Sequence, residues 1–278
     1  MIDQYIQTFL QEDIGDGDHS TLACVLKTNS GSANLLVKED GILAGIEIIK
    51  RVYELFDPKI EFIQFKKDGD SIFVGDVAFK VLGASQTILT TERTVLNILQ
   101  RMSAIATQTK NIVEKVKGYP VKILDTRKTT PGFRFFEKEA VRIGGGSNHR
   151  FGLFDMVMLK DNHIDYAGGV NNAIEKTKAY LSDKKLNLKI EIEVRNFDEL
   201  NQVLATGGVN RIMLDNFSPS DITLALKMIP ASCETEASGG ITIGNVLEYA
   251  KTGIQFISIG ALTHSVKSLD LSLKASSD

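Results

Sequence analysis

The sequence predicts an α/β protein in which a smaller N-terminal α+β unit precedes an open parallel βα barrel of about six strands. Two observations carry this prediction: the change of pattern beyond Pro120, and the polar residues that end each later strand. Length agrees, because 278 residues exceed the roughly 150 residues of an average domain and leave room for two unequal ones. We place the domains at 1–112 and 113–278, with the tail 266–278 expected to pack on the first.

Composition excludes several protein classes. Hydrophobic residues make up 43% and charged residues 24% of the chain, which is typical of a folded globular protein rather than a disordered chain or a coiled coil. The charge-free stretch 252–266 is interrupted by polar residues and is shorter than the ~20 apolar residues of a membrane span. The opening is acidic up to Lys27, whereas targeting peptides begin with positive charge, so we expect a cytoplasmic protein that does not contact membranes.

The cysteines and the charge distribution narrow the function further. Cys24 and Cys233 form no CxxC pair, so we expect neither a disulfide framework nor a thiolate zinc site. Net charge is −3, yet residues 101–160 hold 12 Lys and Arg against 5 Asp and Glu. The absence of Trp and the acidic overall balance disfavour nucleic acid as the partner of this basic stretch. A small polyanionic ligand explains it better.

The first 120 residues mix strand and helix patterns. Three apolar runs bounded by turn residues predict strands, and one run with its apolar residues on a single face predicts a helix. These runs are SANLLVK, KIEFIQFK and VAFKVLG for the strands and IEIIKRVYELF for the helix. From Thr91 to Val116, apolar residues recur every three or four positions and stop at Gly118 and Pro120, which predicts a long helix joining two domains.

Beyond Pro120, short apolar runs alternate with helical stretches, which predicts parallel strands with crossover helices. Six runs follow this pattern, fewer than the eight strands of a closed barrel. No GxGxxG motif opens a turn from strand to helix, so a doubly wound sheet is the second choice. The six runs are VKILD, MVMLK, LKIEIEV, RIMLD, ETEAS and FISIG.

Each predicted barrel strand ends in polar side chains or glycines. The steps along the sequence from one strand end to the next are 32, 33, 22, 23 and 22 residues, counted through Lys128, Lys160, Glu193, Asp215, Ser238 and Gly260. Because the carboxyl ends of barrel strands meet at one mouth, where the chemistry of that fold takes place, we expect these residues to form one site. The strand ends are Asp125-Thr126-Arg127-Lys128, Lys160-Asp161-Asn162, Glu193, Asp215-Asn216, Ser238-Gly239-Gly240 and Gly260-Ala261.

The residue types at these ends indicate an anionic ligand. Glycines let the backbone approach a phosphate, and Arg and Lys contact carboxylate and phosphate oxygens. The candidate cations are Arg101, Arg127, Lys128, His149, Arg150 and Lys160. Glu193 and Asp215 can hold Mg²⁺ through water, bind ribose hydroxyls or stabilise positive charge. Each set of residues also has a structural alternative. The glycines could form a plain turn, the cations could lie on a solvated face, and the carboxylates could form an internal salt bridge.

The loop 144–150 opens with three successive glycines, which cost backbone entropy. Such a loop predicts close approach to a ligand, with His149 and Arg150 projecting into the site; a flexible surface connection is the alternative. The spacing of the other histidines does not suit a metal, so we predict no zinc site.

These residues together resemble a known family. The block ILDTRKTTPGFRFFEKEAVRIGGGSNHRFGLFDMVMLKDNHI, residues 123–164, is similar to the core of the quinolinate phosphoribosyltransferases. The resemblance extends over nearly the whole chain through EDIGDGD, TERTVLNILQRMSAIAT, EIEV, MLDNF, EASGGI and SIGALTHS. Two departures, Ala104 in place of Gly and Glu139 in place of an aromatic residue, concern packing rather than proposed ligand contacts.

The resemblance implies an N-terminal α/β sandwich domain followed by an incomplete α/β barrel. It implies a Mg²⁺-dependent homodimeric enzyme of NAD biosynthesis. Members of the family convert quinolinate and 5-phosphoribosyl-1-pyrophosphate to nicotinate mononucleotide, pyrophosphate and CO₂. These two substrates are therefore the expected small-molecule partners, and neither nucleic acid nor membrane is expected.

The resemblance also implies roles for residues. The quinolinate carboxylates are held by Arg127, His149, Arg150 and Lys160, with Arg101 contributed by the partner subunit of a dimer. The phosphoribosyl donor is faced by Lys128 and Lys160, and Thr126 belongs to the same substrate site. Glu193 and Asp215 face the ribose, and they also hold the metal through water or substrate. The phosphate-binding loops are Ser238-Gly239-Gly240 and Ile259-Gly260-Ala261. The catalytic set is Lys128, Lys160, Glu193 and Asp215.

Three alternatives compete with this interpretation. A molybdenum-transport-associated relative shares the scaffold and binds a different ligand, but the intact TRKTTPG and NHR segments favour the pyridine-binding version. A barrel aldolase would use Lys160 as a Schiff base, which borohydride would trap with a carbonyl substrate. A nucleic-acid or regulatory binding protein would use the basic stretch and bind with a steep salt dependence.

Overall fold

The computed structural model describes residues 2–276 of the chain. The elements up to Lys115 are α1 (Ile2–Ile14), α2 (His19–Cys24), β1 (Ser30–Val37), β2 (Gly41–Ile42), α3 (Ile46–Phe56), β3 (Glu61–Gln64), β4 (Ser71–Ile72), β5 (Val77–Ala84) and α4 (Ser85–Lys115). The elements that follow are β6 (Lys122–Leu124), α5 (Arg134–Ile143), β7 (Val157–Leu159), α6 (Asp161–Ala167), α7 (Val170–Asp183), β8 (Ile190–Val194), α8 (Phe197–Thr206), β9 (Arg211–Asp215), α9 (Pro219–Ala225), β10 (Glu234–Ser238), α10 (Val246–Ala250), β11 (Phe256–Ser258), α11 (Ala261–His264) and β12 (Leu271–Ser276). Among these residues, none of the helices combines the length and apolar character that crossing a bilayer requires.

The described residues divide into two compact units. One unit comprises 2–110, 129–145 and 265–276, and the other comprises 111–128 and 146–264. This division differs from the predicted boundaries, which assign 129–145 and its helix α5 to the barrel. The physical reason is an aromatic cluster: Phe136 of α5 is fully buried, and its ring lies 5.9 Å from that of Tyr5 and 5.4 Å from that of Phe9.

The first unit is built on an antiparallel sheet with strand order β12-β1-β5-β3. Its predicted strands and helix α3 are all present, and the edge strand β12 comes from the C-terminal tail, pairing Val37 with Leu271 at one end. Leu35 of β1 and Phe79 of β5 are fully buried, as expected for the inner face of a sheet. Helices and one sheet face thus form the core of an α/β sandwich, which confirms the predicted class.

Helix α4 runs further than its apolar pattern predicts. Val95, Leu99, Met102 and Ala106 are fully buried on one face, as the spacing of three and four residues predicts. The helix begins at Ser85, six residues before the predicted start. Its first turns are rich in threonine, which has a weak helix propensity, so the local pattern does not indicate a helix there.

The second unit contains a six-stranded parallel sheet of order β6-β11-β10-β9-β8-β7. Five strands follow each other in sequence from β7 to β11, and the first strand, β6, closes on the last through the pairing of Ile123 with Ile257. A doubly wound sheet would place its first strand in the interior, so this order is that of a barrel. Strands β6 and β7 are not neighbours, which leaves the barrel open as predicted.

The loop before β7 covers part of this open seam. Ser147 forms an isolated parallel bridge with Leu124, its backbone N–H donates to the Ile123 carbonyl at 2.8 Å, and its carbonyl accepts from Asp125 N–H at 3.2 Å. One residue of the glycine-rich loop therefore pairs like a strand beside β6. This pairing brings the residues that follow it, His149 and Arg150, to the barrel interior.

Truncation of Phe79 tests the core of the first unit. Its ring is fully buried and lies 4.6 Å from the ring of Phe62. We expect Phe79→Ala to lower the free energy of unfolding by about 3–5 kcal/mol, because the cavity left behind adds to the lost burial. Urea denaturation followed by circular dichroism measures it. Phe65→Ala, at a ring that is 55% exposed, is the matched control, and equal losses in both variants would contradict the assignment.

Candidate active site

A cavity of about 780 Å³ lies at the carboxyl ends of the parallel strands of the second unit. It gathers all of the residues to which the resemblance assigns a role except Arg101, whereas the predicted strand-end residues Asp125, Asp161 and Asn162 do not line it. The predicted residues that line it are Thr126, Arg127, Lys128, His149, Arg150, Lys160, Glu193, Asp215, Ser238, Gly239, Gly240, Ile259, Gly260 and Ala261. Residues that are up to 135 positions apart in sequence therefore meet in one place, as the direction of the strands requires.

Arg101 belongs to the first unit and to a different environment. Its Nε and Nη2 donate to Glu137 Oε1 at 3.1 and 2.8 Å, and its Nη1 donates to the Val266 carbonyl at 3.0 Å. Glu137 is fully buried and also accepts from the Thr130 backbone N–H at 3.0 Å. A second cavity of about 510 Å³ is lined by Arg101 within the same unit. The predicted role of Arg101 across a dimer stays a prediction.

Two arginines form the most basic wall of the cavity. Burial and the positive charge of Arg127 both lower the pKa of Arg150, while the carboxyls of Glu191 and Asp155 oppose this. The Arg150 Nη1 donates to the Met156 carbonyl at 3.0 Å, which fixes the guanidinium within the loop. An anion relieves the repulsion of two like charges, so this wall suits a ligand with carboxylate or phosphate groups.

Another part of the cavity wall carries carboxylates. Lys160 Nζ lies 3.4 Å from Glu193 Oε2, so the internal salt bridge considered from the sequence is present. Burial raises the pKa of Glu193, the ammonium of Lys160 lowers it, and the charge of Asp215 raises it. Burial also raises the pKa of Asp215, whose carboxylate accepts from the Asn216 amide at 2.7 Å. Two carboxylates whose negative charges repel each other are stabilised by a cation or by a developing positive charge.

In the glycine loop after β10, the backbone at Gly239 packs closely against Asn216. Gly239 has φ +94°, and a Cβ there would overlap the side chain of Asn216 and lie 2.9 Å from its backbone nitrogen. Gly240 has φ +62°, and a Cβ there would meet nothing within 4 Å. The following helix α10 begins at Val246, after a turn in which Asn245 Oδ1 accepts from the Thr242 N–H at 2.8 Å.

Gly260, at the end of the neighbouring strand, is also close-packed. A Cβ there would lie 3.0 Å from His264 Nε2 and 3.1 Å from Lys128 Cδ. The Thr263 hydroxyl donates to the Lys128 carbonyl at 2.8 Å, which ties the first strand end to the last. The glycine therefore allows Lys128 to reach the cavity.

Several lining residues were not found from the sequence. They are Met158, Met213, Ile241, Thr242, Ser258 and His264, whereas Asn216, which also lines the cavity, was among the predicted strand ends. Met213 and Ser258 each lie two residues before a predicted strand-end residue and hence on the same strand face. That alternation was the signal that could have identified them.

A charged layer lies below the strand ends, inside the barrel. Glu191 of β8 and Glu236 of β10 are fully buried, and burial raises the pKa of both carboxyls. His149 Nε2 lies 3.0 Å from Glu191 Oε2 and 3.5 Å from Glu236 Oε2. This histidine reaches Glu191 from the loop beside β6.

An open parallel barrel with basic residues, paired carboxylates and glycine loops at its mouth defines an enzyme class: βα-barrel enzymes acting on phosphorylated, multiply anionic substrates. Models of the quinolinate phosphoribosyl transferase family match this chain over residues 18–103 for the N-terminal domain and 105–274 for the C-terminal domain. The chain belongs to this family.

Individual relatives agree with the family models. The chloroplastic nicotinate-nucleotide pyrophosphorylase (carboxylating) of Oryza sativa is 44% identical over 284 residues, covering 97% of this chain and 76% of the relative. The probable nicotinate-nucleotide pyrophosphorylase (carboxylating) of Bacillus subtilis is 44% identical over 265 residues, covering 95% and 90%. The crystal structure of NadC from Streptococcus pyogenes matches with a TM-score of 0.91 and 41% identity, covering 98% of this chain and 95% of that one.

Two adjacent glycines provide a test of the phosphate loop. We expect Gly239→Ala to weaken binding of inorganic phosphate roughly tenfold or more, because the added methyl group displaces Asn216 and the loop backbone from an anion. Gly240→Ala is the matched control, since it carries the same strain of a positive φ while its methyl group enters open space. Isothermal titration calorimetry measures both, and unchanged affinity in Gly239→Ala would contradict the assignment of the loop.

Proposed function

We propose that this chain is a decarboxylating quinolinate phosphoribosyltransferase. The proposed reaction converts quinolinate and 5-phosphoribosyl-1-pyrophosphate to nicotinate mononucleotide, pyrophosphate and CO₂, a step of NAD biosynthesis. The observation that carries the proposal is the single cavity that combines a dibasic wall, a carboxylate wall and two glycine loops. Family membership supports the same activity, because the similar proteins are named for it.

The chemistry of the two walls suits both substrates. Arg127 and Arg150 lie close enough for their charges to interact, and two adjacent guanidinium groups match the two adjacent carboxylates of quinolinate. Lys160 and His149 belong to the same proposed subsite. The 5-phosphate of the donor suits the backbone N–H groups of the Gly239 and Gly260 loops, and Lys128 is available to its pyrophosphate.

The proposed mechanism uses charge and position rather than a side-chain nucleophile. When pyrophosphate leaves, the anomeric carbon gains oxocarbenium character, which the carboxylates of Glu193 and Asp215 stabilise while Lys128 and Lys160 stabilise the leaving group. The quinolinate ring nitrogen then forms its bond to that carbon. Holding both substrates in line removes much of the entropic cost of their encounter.

Decarboxylation follows on the same ring. Once the ring nitrogen is quaternary, the C–C bond to the adjacent carboxylate breaks, its electron pair remains on the ring carbon, and CO₂ departs. The positive ring stabilises that electron pair, and a proton then takes the place of the carboxylate. The dibasic wall, with Arg127 and Arg150, holds the remaining carboxylate throughout.

We propose Mg²⁺ as the cofactor. Glu193 and Asp215 fit it, since carboxylate oxygens are the ligands that Mg²⁺ prefers and these two face one cavity. Lys160 lies beside Glu193, and two carboxylates are fewer ligands than an all-protein site needs, which suits an ion held through water and substrate phosphates. Bound there, the ion would neutralise charge on the leaving pyrophosphate.

Two further parts of the proposal concern assembly and location. We propose a homodimer in which Arg101 serves the partner subunit, supported by the hydrogen bonds of Arg101 to Glu137 and Val266, which hold its guanidinium in one orientation. We propose a cytoplasmic location, for which the free thiols of Cys24 and Cys233 are in keeping with a reducing compartment. Gel filtration and cell fractionation test these two statements.

The activity itself is tested with purified protein, quinolinate, phosphoribosyl pyrophosphate and Mg²⁺. We expect nicotinate mononucleotide and CO₂ in equal amounts, and no product when nicotinate replaces quinolinate. Chelation by EDTA should abolish turnover, and excess Mg²⁺ should restore it, because pyrophosphate is a poor leaving group without a counter-charge. A folded protein that forms no product would refute the proposal.

Arg127→Ala tests the dibasic wall. We expect at least about a hundredfold loss of kcat/KM for quinolinate, because a bidentate charge-assisted contact is removed. The matched control is Arg142→Ala, which removes an exposed arginine that pairs with Glu139 on helix α5. Steady-state kinetics and thermal melting compare the variants. Activity like that of the unaltered enzyme in Arg127→Ala would remove this residue from the site.

A further inference from the structure

The chain leaves strand β9 in a conformation that residues other than glycine rarely adopt. Asn216, directly after the strand, has φ +57°, and among residues 2–276 Lys185 is the only other non-glycine residue with a positive φ. This left-handed conformation costs energy for a residue with a Cβ, although asparagine tolerates it better than most residues do. Strained backbone is concentrated at functional sites, where surrounding contacts hold it in place. The contacts of Asn216 therefore indicate its role.

The turn that begins at Asn216 explains its backbone conformation but not its side chain. The Asn216 backbone N–H donates to the Ser238 carbonyl at 2.8 Å, and two residues later Ser218 caps helix α9. Phe217 lies between them and is buried. Glycine adopts a positive φ without steric cost, so it would serve this turn equally well. What distinguishes asparagine at this position is what its amide group contacts.

The amide nitrogen of Asn216 contacts a carboxylate of the proposed catalytic set. Its Nδ2 donates to Asp215 Oδ2 at 2.7 Å. An ionised carboxylate only accepts hydrogen bonds, so the amide nitrogen rather than the amide oxygen has to face Asp215. A hydrogen bond to a charged group is among the stronger ones and restricts rotation of the carboxylate. Since both residues line the cavity, this bond orients Asp215 where a ligand meets it.

The amide oxygen of Asn216 faces the glycine loop. It is the atom nearest to the position that a Cβ of Gly239 would occupy, and the amide carbon lies 2.6 Å from that position. The amide group and the Gly239 backbone are therefore packed too closely for any side chain to fit between them. One amide group thus lies between the carboxylate of Asp215 and the loop at Gly239.

These two neighbours of Asn216 correspond to the two ends of the proposed donor. In the proposed mechanism, the Asp215 carboxylate acts at the anomeric carbon of the ribose, and the Gly239 loop receives the 5-phosphate. The sugar ring fixes the distance between these two groups of the donor. The carboxylate and the loop must therefore be held at a matching distance, and Asn216 contacts both of them.

We propose that Asn216 is a positioning residue for the phosphoribosyl donor: its amide group holds the Asp215 carboxylate and the Gly239 loop at the spacing of a ribose 5-phosphate. The inference rests on the proposed function for the identity of the donor. Quinolinate is assigned there to Arg127, which follows β6, and to Arg150, in the loop before β7. Loss of the Asn216 side chain therefore affects the donor more than quinolinate.

Two substitutions at this position separate the backbone from the side chain. Asn216→Gly accepts the positive φ but removes both amide contacts. We expect it to raise KM for phosphoribosyl pyrophosphate about tenfold or more, with KM for quinolinate changed less than about twofold. A donor KM like that of the unaltered enzyme would show that only the turn matters and would overturn the proposal. Equal changes in both KM values would overturn it as well.

Asn216→Asp tests the donor atom of the amide at unchanged size. Aspartate also tolerates the left-handed conformation, and it keeps an oxygen towards Gly239. It places a second oxygen beside the Asp215 carboxylate, where the two like charges repel each other. We expect a rise in the donor KM at least as large as in Asn216→Gly. Kinetics like those of the unaltered enzyme would reduce Asn216 to a packing role and contradict the proposal.

Lys185→Gly is the matched control for backbone freedom. Lys185 has φ +53°, is exposed, and lies between helix α7 and strand β8. It therefore lies at the amino ends of the barrel strands, whereas the cavity is at their carboxyl ends. We expect both KM values to be unchanged in this variant. A rise in the donor KM as large as that of Asn216→Gly would assign the effect to added flexibility and overturn the proposal.

Calorimetry measures the spacing without turnover. Ribose 5-phosphate reaches both the carboxylate and the loop, whereas inorganic phosphate reaches only the loop. We expect Asn216→Gly to weaken binding of ribose 5-phosphate about tenfold or more, to weaken inorganic phosphate less, and to leave quinolinate within about twofold. Equal losses for ribose 5-phosphate and inorganic phosphate would confine the effect to the loop and overturn the proposed spacing.

A double variant tests the contact between the amide group and the loop. The methyl group added in Gly239→Ala meets the side chain of Asn216, which Asn216→Gly removes. Because effects of residues in contact are not additive, we expect the double variant to lose less affinity for ribose 5-phosphate than the product of the two single losses. A loss equal to that product would contradict the proposed contact.

The two proposals fail in distinguishable ways. If the unaltered protein forms no nicotinate mononucleotide, the proposed function fails, while calorimetry with ribose 5-phosphate still reports on Asn216. If the protein is active and Asn216→Gly binds ribose 5-phosphate as tightly as the unaltered protein, the activity stands and the positioning role falls. Thermal melting establishes that each variant is folded, and Asn216→Asp, with its unchanged size, carries the comparison if Asn216→Gly is not.

Discussion

The common direction of the barrel strands is the constraint on which the site depends. Since β6 to β11 are parallel, their last residues share one edge, and cations, carboxylates and glycines from distant parts of the chain become neighbours. The two-residue repeat of a strand then fixes what lies beneath them: Glu191 below Glu193 and Glu236 below Ser238. The mouth and the charged layer under it are thus one consequence of strand geometry.

Much of this arrangement could be predicted from the sequence. The apolar runs identify the six strands, and the residues that end them identify most of the cavity, because a strand end is visible as the point where apolar residues stop. The fold class follows from the alternation of runs and helices. The buried face of helix α4 could be predicted as well, since Leu99 and Met102 belong to a run of apolar residues that recur every three or four positions.

What sequence reasoning missed depends on contacts between distant segments. The assignment of 129–145 to the first unit depends on Phe136 meeting Tyr5 and Phe9, and no local pattern encodes that contact. The pairing of Glu191 with His149 is similarly invisible, because a carboxylate in an alternating strand looks the same whether it meets solvent, lysine or histidine. Secondary-structure propensity is a property of single residues, whereas these two contacts each depend on residues that are far apart in the sequence.

The antiparallel pairing of β1 with β12 has a consequence for how the chain acquires its structure. Ser32 and Ser276 are register partners although 244 positions separate them, and the first unit takes its residues from three stretches of sequence. A ribosome therefore has to release the chain as far as β12 before the edge of this sheet can be completed. Contacts of such long sequence separation fold slowly, and until then the strand edge of β1 is exposed to chaperones and to aggregation.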